Sequence, residues 1–143
     1  MDKLTETQLL AYLKSQSRNK IVLYSDTPMD FNVIDVGSVL AQAIYNLKDE
    51  SKLPMRVTAE LDVILNEAIT DHKSYGRMLA IANLGILLES DLKQDINRLF
   101  EKYSNNNVLF VKWEGETDNE NLYFLSKENG IKININNLSH IAI

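Results

Sequence analysis

Two hydrophobic spacings alternate along this chain. Continuous apolar runs appear at Ile21-Val22-Leu23-Tyr24, Met78-Leu79-Ala80-Ile81-Ala82 and Val108-Leu109-Phe110-Val111. Each is short and bounded by polar residues, the pattern of a strand buried on both faces. Between them, apolar residues recur every third or fourth position. Leu9, Leu10 and Leu13 form one such stripe, and Val39, Leu40, Ala43, Ile44 and Leu47 a second. Leu61, Ile64, Leu65 and Ala68 make a third, and Leu92, Ile96, Leu99, Phe100 and Tyr103 a fourth. The spacing predicts amphipathic helices. The segment Arg77–Trp113 then reads strand, helix, strand, which predicts a parallel pair in a covered sheet.

Local signals set the expected boundaries. Thr5 with Gln8 three residues on resembles a capping box, so the first helix is expected to start at Thr5 and fade at Ser15–Asn19. Asp26–Phe31 reads as a turn. Asn32–Val36 reads either as a short strand or as the lead-in to a helix at about 37–47. Asp26–Phe31 is too short for a parallel crossover, which favours the lead-in. Lys48–Pro54 is expected to be a polar loop, Met55–Val57 a short strand or extended chain, and Thr58 the cap of a helix reaching about Thr70. Asp71–Gly76 reads as a loop. Asp91 is expected to open the fourth helix, on one face with Asp95. Leu122–Leu125 and Ile131–Ile135 read as strands around Glu128-Asn129-Gly130, because Asn-Gly favours a tight hairpin turn. The expected fold is α/β: a single three-layer domain over residues 1–143, with a mainly parallel central sheet and a C-terminal β-hairpin or edge strands.

Composition narrows the function classes. At 143 residues and 45% hydrophobic, the chain can bury a substantial core. Its net charge of −5 lacks the Lys and Arg surplus that phosphate neutralisation requires. Direct nucleic-acid binding would therefore need folding to gather Lys14, Arg18, Lys20, Arg77 and Lys112. There is no cysteine, so disulfides and thiolate chemistry are excluded. No apolar signal core occurs at the N-terminus and no run is long enough to span a membrane. The expected location is the cytoplasm, with no membrane partner.

Candidate chemistry is sparse. Gly37, Gly76, Gly85, Gly115 and Gly130 stand alone, so no glycine-rich phosphate loop exists. His72 and His140 are far apart and lack the spacing of a metal pair. Glu114, Glu116, Asp118 and Glu120 lack the glycine and terminal glutamate of a calcium loop. No serine nucleophile elbow appears. No catalytic, nucleotide-binding or metal-binding residue and no cofactor is therefore expected.

The order of elements resembles the P-loop NTPase core. More narrowly, Asn83–Phe100 (NLGILLESDLKQDINRLF) followed by Trp113-Glu114-Gly115-Glu116 resembles the small P-loop-fold BrxF proteins of BREX phage-defence systems. The resemblance implies a phosphate loop after the first strand, where this chain has Ser25-Asp26-Thr27-Pro28. It also implies a magnesium-binding Asp before Asn83, where this chain has Ala82. A nucleotide site needs both parts. The resemblance with these departures implies a degenerate, non-catalytic member acting through protein contacts. The exposed rim, with Asn83, Leu84, Asp91, Trp113 and Glu114, is the expected interaction surface. Its occupant is another protein, with a second copy of the chain among the candidates. The competing readings are a nucleic-acid accessory and a small enzyme with polar groups converging near Ser25, Asp26, Asn83 and Trp113.

Overall fold

The computed structural model describes residues 1–47, 51–124 and 131–143. Its centre is a six-stranded, mostly parallel sheet. The three continuous apolar runs form β1 (Lys20–Tyr24), β4 (Gly76–Ala82) and β5 (Val108–Lys112), with β5 between the other two. All three are parallel. Their side chains alternate between two apolar layers, as strand geometry requires. Ile21, Leu23, Leu79, Ile81, Leu109 and Val111 face one layer. Val22, Tyr24, Met78, Ala80, Val108 and Phe110 face the other.

Helices α2 (Val36–Leu47), α3 (Leu53–Ala68) and α4 (Ile96–Ser104) supply the first layer. An antiparallel pair, β6 (Asn121–Phe124) with β7 (Ile131–Asn134), joins them there. The second layer is thinner. It holds α1 (Lys3–Lys14), through Leu9, Tyr12 and Leu13, and the segment after β1, through Met29, Phe31 and Val33. Mostly parallel α/β architecture with a separate antiparallel pair thus agrees with the expectation. The Glu128-Asn129-Gly130 turn lies outside the described residues, as do Leu125 and Lys48–Glu50.

Several boundaries differ from expectation. Asp2, not Thr5, caps α1: its carboxylate accepts the Thr5 N–H at 2.7 Å. Asn32–Val36 is not simply a lead-in. Ile34–Asp35 forms a two-residue strand, β2, which pairs in parallel with β4 rather than with β1. It pairs only with the C-terminal end of β4, so the chain crosses sideways and needs no full-length crossover. Met55–Val57 is helical, because Pro54 sits in the first turn of α3, where its missing N–H costs nothing. Thr58 is inside that helix and donates its hydroxyl to the Pro54 carbonyl at 3.0 Å. Of the expected loop Asp71–Gly76, Asp71 and His72 belong to β3 (Thr70–His72), antiparallel to the N-terminal half of β4, and Gly76 opens β4 itself. The fourth helix starts at Ile96, capped by Asp95 through the Arg98 N–H at 3.2 Å. Asp91 lies in a separate 3-10 turn, Ser90–Leu92, after another at Gly85–Leu88. A last strand, β8 (Ile141–Ala142), pairs in parallel with β1 at the far edge.

Candidate functional site

The register aligns the C-terminal ends of four parallel strands. Asp35 lies beside Ala82, Ala82 beside Lys112, and Lys112 beside Tyr24. Open parallel sheets bind ligands at such an edge, where the strand order reverses. Here β1 is flanked by β5 and β8, so the reversal falls beside β1.

The chain leaves β4 through Asn83, whose φ of 58° is left-handed. Asn tolerates that conformation better than other side chains. Its amide donates to Asp35 Oδ1 at 2.8 Å, and the same oxygen accepts the Ser38 N–H at 3.0 Å. These bonds, the Ser38 N–H foremost, hold the Asp35 carboxyl below the usual carboxylate range. Gly37 makes the arrangement fit, since a Cβ there would come within 2.3 Å of the Asn83 amide nitrogen. Asp35 is the acid of this edge that sequence reasoning missed. It stands one strand away from Ala82, and nothing local shows that β2 lies beside β4.

A cleft of about 430 Å³ opens between the ends of β4 and β5. Asn83, Lys112 and Glu114 give it polar groups; Leu84, Trp113 and Phe124 give it apolar walls. Two glycines allow β6 to close against it. A Cβ on Gly85 would lie 2.8 Å from the Phe124 ring, and one on Gly115 would lie 2.0 Å from the Tyr123 carbonyl oxygen. Trp113 Nε1–H donates to that carbonyl at 3.2 Å.

Of the expected rim, Asn83, Asp91 and Glu114 are exposed. Leu84 and Trp113 are only 3% and 5% exposed, so they are core residues that wall the cleft rather than surface contacts. Their apolar side chains gain more from the sheet's first layer than from solvent. Asp91 is not part of the cleft lining.

Of the residues of the enzyme reading, Asn83 and Trp113 line this cleft, and Trp113 also lines, with Ser25, a second depression of about 80 Å³ between β1, β5 and β8. The Asn83 amide is committed to Asp35 and the Trp113 N–H to Tyr123. His72 is held by hydrogen bonds at both ring nitrogens. Its Nε2 meets Asp30 Oδ1 at 3.0 Å, while its Nδ1 accepts the N–H groups of Ser74 and Tyr75 at 3.0 and 3.3 Å. Both nitrogens are occupied, and the ring stacks on Tyr75 at 4.4 Å. It clamps the segment after β1 to the β3–β4 turn. His140 Nδ1 donates to the Leu138 carbonyl at 2.8 Å.

The acid-rich loop is built on Asp118. One oxygen accepts the N–H groups of Glu120 and Asn121, and the other accepts the Tyr123 hydroxyl at 2.6 Å. Among the described residues, no group of three or more acids or histidines could hold a metal ion. A second groove of about 430 Å³ separates α3 from α4. Its Asp62 is paired with Lys102 at 2.8 Å and accepts the Tyr103 hydroxyl at 2.6 Å.

The five basic residues do not form one face. Lys20 and Arg77 lie at the opposite end of the sheet from Lys112. Arg77 donates to Asn107 at 2.8 Å, Arg18 pairs with Glu101 at 3.7 Å, and Lys20 bonds Ser15 and Ser17. Among the described residues, no helix is long and apolar enough to cross a membrane. No family model, curated protein or solved structure matches the chain.

Proposed function

We propose that this protein is a non-catalytic, P-loop-like module that works by protein contact, in a bacterial phage-defence complex of the BREX type. One observation carries the non-catalytic half. In a P-loop protein the first strand runs into a phosphate loop and then a helix, whose N-terminal amides meet the phosphates. Here β1 runs into residues 25–33, which contain no helix and fold across the second face of the sheet. Met29, Phe31 and Val33 from this segment pack into that layer. Phe31 sits 4.8 Å from the Phe110 ring and Asp30 meets His72, so the segment is committed to structure. The strand-end row supports the same reading, with Ala82 between Asp35 and Lys112. The partner surface of this proposal is the cleft and its exposed rim, Asn83 and Glu114, with Asp91 further along.

Calorimetry with magnesium-ATP tests the first half. The expected result is no binding heat up to millimolar nucleotide; micromolar affinity overturns it. For the second half, the products of neighbouring genes are co-expressed with the chain. A BREX-type protein should co-purify with the native chain and be lost with Glu114→Lys. Retention by both forms removes the rim from the interface.

A further inference from the structure

We propose that the outer edge of β7 is a docking site for an extended segment of another protein, which adds to it as a parallel strand and reads apolar, acidic, apolar. This does not rest on the reading above, because the groove beside β7 shares no lining residue with the strand-end cleft.

The first observation concerns backbone hydrogen bonds. The Ile135 N–H donates to the Glu120 carbonyl at 2.8 Å, and the β6–β7 register continues from that pair. Antiparallel bonding alternates, so the backbone groups of Ile133 and Ile131 face β6, while those of Asn134 and Lys132 turn outward. On β6 the outward groups belong to Asn121 and Tyr123, and all four are bonded. The Asn121 N–H donates to Asp118 Oδ1, and its carbonyl accepts the Asp118 N–H. The Tyr123 N–H donates to the Glu116 carbonyl, and its carbonyl accepts the Trp113 Nε1–H. On β7 the Asn134 carbonyl accepts the Asn97 side-chain amide at 2.9 Å. Among the described residues, the Asn134 N–H and both backbone groups of Lys132 have no partner.

The second observation is a groove of about 390 Å³ beside this edge. Residues 131–134 form one wall, and Leu88, Ile96 and Asn97 belong to the other. Ile131 is 52% exposed and Ile133 half-buried, and both lie on one side of the strand. Lys132 is exposed on the opposite side and makes no ion pair among the described residues.

These features select the occupant. Open backbone groups at strand spacing are matched by another strand. A parallel segment of three residues answers all of them. Its first carbonyl accepts the Lys132 N–H. Its third residue donates to the Lys132 carbonyl and accepts the Asn134 N–H. An antiparallel segment would bring a second donor to the Asn134 carbonyl, which Asn97 already occupies. The middle residue stands beside Lys132, so an acid is favoured there and a base repelled. Its neighbours stand beside Ile131 and Ile133 and gain by being apolar. The strand itself reads Ile131-Lys132-Ile133, so a second copy in this register would set lysine against lysine.

Fluorescence anisotropy of the full chain with a labelled, end-blocked peptide carrying Thr-Ile-Glu-Ile-Thr tests this. The expected result is saturable binding at sub-millimolar protein. Replacing the central Glu by Lys should weaken it by about tenfold, and Lys132→Glu in the protein should reverse that preference. N-methylation of the residue after Glu removes the N–H that meets the Lys132 carbonyl and should cost about tenfold. N-methylation of Glu itself, whose N–H points away from β7, should leave binding unchanged. NMR of the isotope-labelled chain should show the Lys132 and Asn134 amides shifting on titration. No saturation at millimolar protein overturns the proposal. So do equal affinities for the Glu and Lys peptides, unmoved Lys132 and Asn134 amides, or a loss on methylating Glu alone. Shifts of the same two amides with the concentration of the chain by itself would make a second copy the occupant and overturn it too.

Discussion

The side-chain amide of Asn83 and the carboxylate of Asp35 meet at 2.8 Å, joining β4 to β2 where both strands end. Asn83 holds a left-handed backbone to reach that position. Replacing it separates the two contributions. Asn83→Gly keeps the conformation and loses the bond, costing about 1 kcal/mol. Asn83→Val adds left-handed strain of about 1–2 kcal/mol to the same loss. Urea denaturation should therefore rank native above Gly above Val. Equal losses for the two variants would mean that the backbone there is not strained.

The same pair fixes one part of the acid response. The Asp35 carboxyl is held below its ordinary value, so the folded state keeps it ionised to lower pH than the unfolded chain does. Its contribution is complete above the unfolded value of about 4 and is lost as pH falls through the lower folded value. Asp35→Asn should flatten the stability curve in that interval and leave its slope above about pH 5 unchanged. Stability measured by urea at a series of pH values from 2 to 7 gives the comparison.

Gly115 lies where β5 hands over to the antiparallel pair. A Cβ there would be 2.0 Å from a backbone oxygen, and 3.0 Å from Trp113 Nε1, so a neighbour has to move. Gly115→Ala is expected to cost about 2 kcal/mol, as overpacking does. It should also break the Trp113–Tyr123 bond. Trp113 is the sole tryptophan, so its fluorescence reports the change directly. The emission maximum should move to the red in the variant; an unshifted maximum would show that β6 tolerates the extra methyl group.

Tyr103 is buried and donates to Asp62, and both burial and the nearby carboxylate push its phenol well above the ordinary range. Five other tyrosines are present in the chain of six. Tyr103→Phe should therefore leave the absorbance titration near pH 10 almost unchanged in amplitude. Its stability cost is expected at about 1–2 kcal/mol, because Asp62 keeps its Lys102 partner. Loss of a full tyrosine's amplitude near pH 10 would place Tyr103 in contact with solvent.

The parts of the fold that sequence revealed share a physical cause. β1, β4 and β5 are buried on both faces, so each had to be apolar at nearly every position. The four helical stripes likewise had to follow the helical period. The missed pieces are held by neighbours instead. β2 is two residues long and owes its existence to β4, and β3 (Thr70-Asp71-His72) is polar because it lies at an edge. The stripe from Leu92 to Tyr103 runs unbroken over a 3-10 turn and a helix start. Its spacing therefore did not show that Gln94, bonded to the Pro54 and Leu92 carbonyls, interrupts the helix. At the strand ends, the apolar character of Trp113 and Leu84 did not distinguish rim from wall. That choice depends on β6, which Gly85 and Gly115 admit at close range.

The pairing of β8 with β1 has a consequence for the order of assembly. Val22 and Leu23 find their outer partners in Ile141 and Ala142, a strand that follows the other described strands in chain order. Until then, β1 presents one row of unpaired backbone groups to the cell, the arrangement that recruits foreign strands. The hydroxyl of Tyr12 guards part of that interval, accepting the Ile21 N–H at 2.9 Å before it can also meet Ser139. A nascent chain stalled short of Ile141 thus carries a more open β1 edge than the folded protein does.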